Sequence, residues 1–270
     1  RQTVGPELEK RIQILINTGL IELRNDFKIY WDRFAIARLT PGKDYLSPKF
    51  ELIVDDILES NQKQKLIIFI ENWLKNKIGV ILKSLIELKD LKEKNSSIKA
   101  LAYQLYENNG VLKRDLVSDY LKNLGQEERK ILRDLGVKFG RYHVFLFKLI
   151  KPEAVSLRTL LWKNYHQKYF ELMPPTFGLN FLDEKKLKSK NFMLLCGFEK
   201  FENFYVRIDI LERLFMKIIN SNSDKEKEIK LVPEMLNLLG CTKDNFKKLL
   251  KNMHYKVIEK NNEIYFRYMP

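Results

Sequence analysis

The chain has 270 residues, 45% apolar and 31% charged, with a formal net charge of +14 and a pI near 9.5. This is the balance of a folded protein long enough to bury a core, and it excludes a disordered tail. The cationic excess favours a polyanionic partner, nucleic acid or an anionic surface, with a merely solvated lysine-rich exterior as the plain alternative.

Only Cys196 and Cys241 are present, far apart and without a second thiol or a histidine at ligand spacing. Neither a zinc site nor a disulfide scaffold is supported, and reduced thiols in a cytoplasmic protein are expected. No apolar run reaches the roughly 18 residues of a membrane span, so no membrane partner is expected. The N-terminus lacks the order of a signal peptide. The sequence begins with Arg1 rather than Met, so it is expected to be a piece of something longer.

Residues 6–18 read as a helix opened by Pro6 and closed by Gly19. Phe27, Ile29 and Trp31 alternate with Lys28 and Tyr30, and Ile36 and Leu39 follow the Asp32-Arg33 break. This predicts a hairpin ending at Pro41-Gly42, with a further strand at Phe50, Leu52 and Val54. The Asp55-Asp56 pair fits a helix start, where negative charge is favourable, better than a metal site. From 61 to 94, Ile67, Ile70, Leu74, Ile78, Ile81, Leu85 and Leu88 recur at spacings that predict one long helix, its stripe widened by Leu66, Phe69, Trp73 and Leu82. Helices follow at 98–108, 113–124 and 126–135, stopped at Asn109-Gly110, Gly125 and Gly136. Short connections among them predict an antiparallel bundle.

The segment 136–151 breaks this pattern. Lys138, Phe139, Arg141 and Tyr142 form the mixture that holds single strands by charge and stacking, although the same aromatics could equally be core. His143 beside them reads as a structural histidine before a catalytic one. Pro152 opens a helix over 153–169 with Val155, Leu157, Leu160, Leu161 and Tyr165 as core positions. Residues 176–204 look irregular, with a basic patch at 183–190, and are expected to connect to the last unit.

That unit, 205–270, predicts helix, short strand, helix, turn, helix and two-stranded hairpin: a basic winged helix-turn-helix. At about 100° per residue, Phe246, Leu249, Leu250 and Met253 fall on one side of its last helix. Lys243, Lys247, Lys248 and Lys251 fall on the other, a face that reads as nearly pure lysine. Lys256, Lys260 and Arg267 extend it onto the hairpin. Lysine in place of Arg, Asn and Gln argues for phosphate contact over base reading. The fold class expected is therefore mainly α with small β elements. The divisions are a helix and hairpin over 1–60, a helical bundle over 61–172, a connection over 173–204 and the winged helix over 205–270.

No P-loop, GxSxG elbow or HExxH is present, and His143, His166 and His254 are scattered without ligand partners. No catalytic residue, metal or cofactor is assigned to the chain itself.

The strings LGVKFGRYHVFL and LIKPEAVSLRTLLW (135–162), VRIDILERL (206–214) and MLNLLGCTKDNFKKLLKNMHYKV (235–257) carry a resemblance. So do FKIYWDRFAIARLTPG (27–42) and LSPKFELIVDDIL (46–58). Together they resemble the C-terminal region of alphaproteobacterial superfamily-two, Ski-like helicases related to the mitochondrial degradosome RNA helicases. The resemblance runs in order from about residue 20 to 268. It implies a region downstream of helicase motor domains in the same parent chain, those motors holding ATP and Mg, with RNA or DNA as partner. It departs at Phe147, where proline is expected, and at Met253-His254, where Leu-Gly is expected, and many lysines stand for arginines. A free-standing winged-helix regulator or scaffold stays open beside it.

Overall fold

The computed structural model describes residues 4–91, 96–183, 189–221 and 228–269. About half of the chain is helical, and four small antiparallel sheets account for the strands, so the class is mixed α/β rather than mainly α. No helix among the described residues is long and apolar enough to cross a membrane. The chain divides into two compact units, Arg1–Lys83 with Ser156–Met173, and Ser84–Val155 with Pro174–Pro270.

In the first unit, α1 (Val4–Thr18) ends where the Gly19 amide bonds the Leu15 carbonyl and Gly19 turns to φ +62. The expected hairpin is part of a four-stranded meander: β1 (Ile21–Leu23), β2 (Lys28–Trp31), β3 (Phe34–Thr40) and β4 (Lys49–Leu52). Ile29, Ile36 and Leu39 face its core. α2 (Ser60–Ile81) buries Leu66, Ile70, Leu74 and Ile78 at helical spacing. The expected single helix over 61–94 stops at Leu82 (φ −107, ψ 25), and α3 (Lys83–Lys89) follows. Leu85 and Leu88 are still buried, so the apolar period runs across the break. Gly79, in the last turn of α2, is the helix-weakening residue nearest to it. Residues 92–94 of that helix lie outside the described residues.

The second unit begins with α4 (Ser96–Glu107), β5 (Val111–Lys113), α5 (Ser118–Lys122), α6 (Gln126–Asp134), β6 (Val137–Phe139) and β7 (His143–Leu146). Strands thus stand where part of a helical bundle was expected, and 113–124 is a strand end, a 3₁₀ turn and a short helix instead of one helix. α7 (Pro152–His166), which belongs to the first unit from Ser156 onward, matches its expected start and buries Val155, Leu157, Leu160 and Leu161, whereas Tyr165 is exposed.

The expected connection is structured. β8 (Phe181–Asp183), α8 (Lys190–Leu195), β9 (Phe198–Phe201) and β10 (Phe204–Arg207) enclose Phe192, Met193 and Phe204, all fully buried. A helix of six residues is too short to show a period, which is why its apolar density reads as irregular. Residues 184–188 of the basic patch lie outside the described residues. Residues 205–207 are extended, and α9 starts at Ile208 and runs to Ser221. Then come β11 (Ile229–Lys230), α10 (Pro233–Leu239), α11 (Lys243–Asn252), β12 (Tyr255–Lys260) and β13 (Glu263–Tyr268). The charged run at 222–227 lies outside the described residues.

A threefold repetition organises this unit. Its sheets have the orders β5-β7-β6, β8-β10-β9 and β11-β13-β12, each a hairpin whose second strand is flanked by an earlier strand. Each hairpin is preceded by a helix (α6, α8, α11), one linking residue and one residue at positive φ: Gly136 (+99), Gly197 (+86) and His254 (+65). The left-handed residue ends the helix and turns the chain directly into the strand. We refer to the three repeats as modules one, two and three.

Candidate nucleic-acid interface

α11 is capped by Thr242, whose hydroxyl accepts the Asn245 amide at 3.2 Å. Phe246, Leu249 and Leu250 are buried in a core shared with Phe215, Leu239 and Phe266. The opposite side carries Lys243, Lys248 and Lys251, all exposed. It is not the nearly pure lysine face that was expected. Asp244 lies within the same arc with its side chain 89% exposed, 4.0 Å from Lys247. Lys247 is also paired with the Glu259 carboxylate on β12. That pairing raises the Lys247 pKa and lowers that of Glu259.

On the hairpin, Lys260 is paired with Glu228 at 2.8 Å, and Lys256 is exposed opposite Arg267. Arg267 is half-buried and its Nε has no hydrogen-bond partner among the described residues. Among the described residues, the cations of this surface with no carboxylate partner are Lys243, Lys248 and Lys256, with Lys251 near enough to Glu259 to help lower its pKa.

The 140–143 turn is organised by Glu212 of α9. One carboxylate oxygen accepts the amides of Tyr142 (2.8 Å) and His143 (2.7 Å), and the other accepts the amide of Arg141. A Cβ at Gly140 would overlap that carboxyl, so glycine is needed there for close approach. The His143 ring, 2% exposed, places Nδ1 3.0 Å from Glu212 and Nε2 2.9 Å from Glu199 of β9. A neutral imidazole has one N–H, so both bonds donate only from the imidazolium. Burial alone would lower the His143 pKa, but the bonds to Glu199 and Glu212 outweigh it and the pKa is raised. Burial likewise acts to raise the Glu199 pKa, yet His143 and then Lys113, at 3.3 Å, hold it lowered. His143 belongs to module one, Glu199 to module two, and Glu212 to the helix leading module three.

The expected strand-holding group is divided by this arrangement. Tyr142 packs edge-on against Phe215 (5.0 Å), and its buried hydroxyl faces Arg141 and Tyr255. Burial raises its pKa, and the ring is core rather than a stacking surface. Lys138 lies over Phe147 (5.1 Å) and lines a separate groove with Phe139 and Met216. Lys138 and Arg141 are both exposed, the Arg141 guanidinium 5.5 Å from the Tyr268 ring of β13. Sequence reading passed over Glu199, Glu212, Lys113, Arg114 and Tyr268. Their signal is spatial, since Glu199 and Glu212 stand 56 and 69 residues from His143.

Arg141 opens onto a cleft of about 620 Å³. Module one lines it with Lys113, Arg114, Asp115 and the 141–143 turn, module two with Glu199 and Phe201, and module three with Asn252, Met253, His254 and Tyr268. His254 occupies the left-handed position at which the resemblance expects glycine. A side chain there costs about 1–2 kcal/mol, offset in part by the greater unfolded freedom of glycine. His254→Gly is therefore expected to stabilise the fold by about 0.5–1 kcal/mol. The urea midpoint measures this, and a fall would mean that the imidazole makes a contact worth more than the strain.

The described residues contain no cluster of His, Cys, Asp and Glu arranged to hold a metal ion. Cys241 is half-buried and burial pushes its thiol up to about 11, which keeps it protonated and unreactive at neutral pH. In comparisons with known proteins, no family model, curated protein or solved structure matches the chain.

Proposed function

We propose that the chain is a nucleic-acid-binding accessory region of an ATP-dependent RNA or DNA helicase, with residues 205–270 acting as a winged helix that grips phosphates. The carrying observation is the exposed lysine side of α11, compared with its counterparts in the other modules. In α6 the exposed charges are mixed, Glu127 and Asp134 with Lys130 and Arg133. In α8, Phe192, Met193 and Leu195 are buried. The exposed side of α8 carries the single cation Lys190, whereas α11 combines an apolar buried side with three exposed lysines against one exposed aspartate, the division that a helix seated on a polyanion requires. Lys256 on the hairpin continues the charge. The helicase context is supported by the resemblance of the strings at 27–42, 46–58, 135–162, 206–214 and 235–257. The ATP- and Mg-dependent step would belong to motor domains of the parent protein, since no residue described above supplies it.

The test is a titration of labelled RNA and DNA, single-stranded and duplex, at salt from roughly 50 to 200 mM. Contact by three or four lysines is expected to give a log–log slope of about −3 on duplex. Absent binding, or binding indifferent to salt, would overturn the reading.

A further inference from the structure

The cleft beside Arg141 carries more than the lysine face does. We infer that it holds one unpaired nucleotide of a single strand, with Arg141 as the group that meets both base and phosphate. This rests on the nucleic-acid reading above and narrows it from any polyanion to an unpaired strand.

Size comes first. A concave site of about 620 Å³ falls in the range of small-ligand pockets and can take a splayed-out base. A base pair stacked inside a duplex cannot enter it, because its faces are already covered. Charge comes next. Lys113, Arg114, Arg141 and the His143 imidazolium face the site against two carboxylates, Asp115 and Glu199. Glu199 is already engaged by His143 and Lys113, and Arg114 is held by a bond from its guanidinium to the Gly140 carbonyl at 2.6 Å. Arg141 is the cation whose head has no carboxylate partner among the described residues. A phosphate entering the cleft meets net positive charge and the Arg141 guanidinium, which is engaged by tyrosines and by no carboxylate among the described residues.

Shape supplies the base contact. The Arg141 guanidinium lies 5.5 Å from the Tyr268 ring, and Tyr268 remains 37% exposed. A guanidinium held against an aromatic ring presents a flat cationic surface, on which bases of any identity stack. The site is also held in place before binding, because the Glu212 carboxylate fixes the backbone that carries Arg141. It is continuous with the lysine face as well, since Asn252 at its rim follows Lys248 by one helical turn and its amide donates to the Lys248 carbonyl at 2.8 Å. A strand whose phosphates lie on Lys248 and Lys251 would lead its next nucleotide toward the cleft.

The experiment uses the full chain and compares a labelled single strand of about ten nucleotides with a duplex of the same length. Arg141→Ala removes the flat cation without touching the turn, whose bonds are made by backbone amides. His254→Gly empties the rim while relieving the left-handed strain. Each is expected to weaken single-strand binding about tenfold and to leave duplex binding within about twofold, with melting temperature unchanged or, for His254→Gly, raised. Arg141→Lys, which keeps the charge and loses the plane, is expected to recover only the salt-dependent part of the loss. Unchanged single-strand affinity in both cleft variants, with wild-type binding intact, would overturn the cleft and leave the lysine face standing. Equal losses on single strand and duplex would overturn the preference for an unpaired nucleotide. A wild-type chain that binds no oligonucleotide would overturn the reading on which both rest.

Discussion

Replacing His143 with alanine is expected to cost about 3–5 kcal/mol of folding stability, the range for removing one partner of a buried ion pair. The loss exceeds that of a buried ring alone. Without the imidazolium, buried Glu199 keeps only Lys113 as a counter-charge and buried Glu212 only the three backbone amides of the 140–143 turn. Urea unfolding near neutral pH measures the effect.

A pH series adds a signature that simple cavity formation would lack. The folded pKa of His143 lies above its ordinary 6.5, so its stabilisation is complete below 6.5 and is lost as pH rises through the folded value. Glu199 lies below its ordinary 4.5, so its stabilisation is present above 4.5 and is lost as pH falls through the folded value. Wild-type stability should therefore peak between these two ordinary values and decline on both sides. His143→Ala should flatten the alkaline limb. A variant within 1 kcal/mol of wild type, with the same pH profile, would show that the bridge contributes little.

Reversing Lys243, Lys248 and Lys251 to glutamate is expected to lower nucleic-acid affinity at least a hundredfold at roughly 50 mM salt and to reduce the salt slope by about 2–3. Each lost phosphate contact removes one released counterion, and the added carboxylates repel the backbone as well. Folding should be little affected, because all three side chains are exposed and surface substitutions of this kind stay within about 0.5 kcal/mol each. Lys247→Gln provides the internal contrast. Its ammonium is already satisfied by Glu259 and Asp244, so its removal should change affinity only a few-fold. Equal affinity of the triple variant and the wild type would end the phosphate-gripping role for α11.

Much of the local structure was legible in the sequence. Gly19, the Asp32-Arg33 break, Pro152 and Thr242 each mark an element boundary through a backbone or capping preference that acts within a few residues. The buried side of α11 followed from spacing alone. What stayed hidden acts across distance. Glu259 neutralises Lys247 from twelve residues away, beyond a left-handed corner that a helical wheel does not describe. Glu199 and Glu212 read as ordinary surface carboxylates in their own segments, and only the fold sets them against one histidine. Tyr142 and Arg141 are adjacent in sequence, yet the Tyr142 ring packs against Phe215 of the core while the Arg141 guanidinium, 5.9 Å from that ring, stays exposed. The threefold repetition escaped notice for a different reason. Its constant feature is a backbone conformation, met by glycine twice and by histidine once, on a background of unrelated side chains.

The Glu199–His143–Glu212 bridge also makes the second unit indivisible. Cut before residue 205, the shorter piece would carry Glu212 away from its imidazolium, and the longer piece would keep His143 with half of its counter-charge. The exposed face of α11 therefore depends, for its position relative to the cleft, on a proton shared among three segments that could otherwise pass for independent folding units. A transient opening that separates any two modules strands charge in all three, so such openings should be rare short of global unfolding. Rigidity of that kind would serve the proposed role, in which this surface holds one end of a strand fixed while something else moves the other.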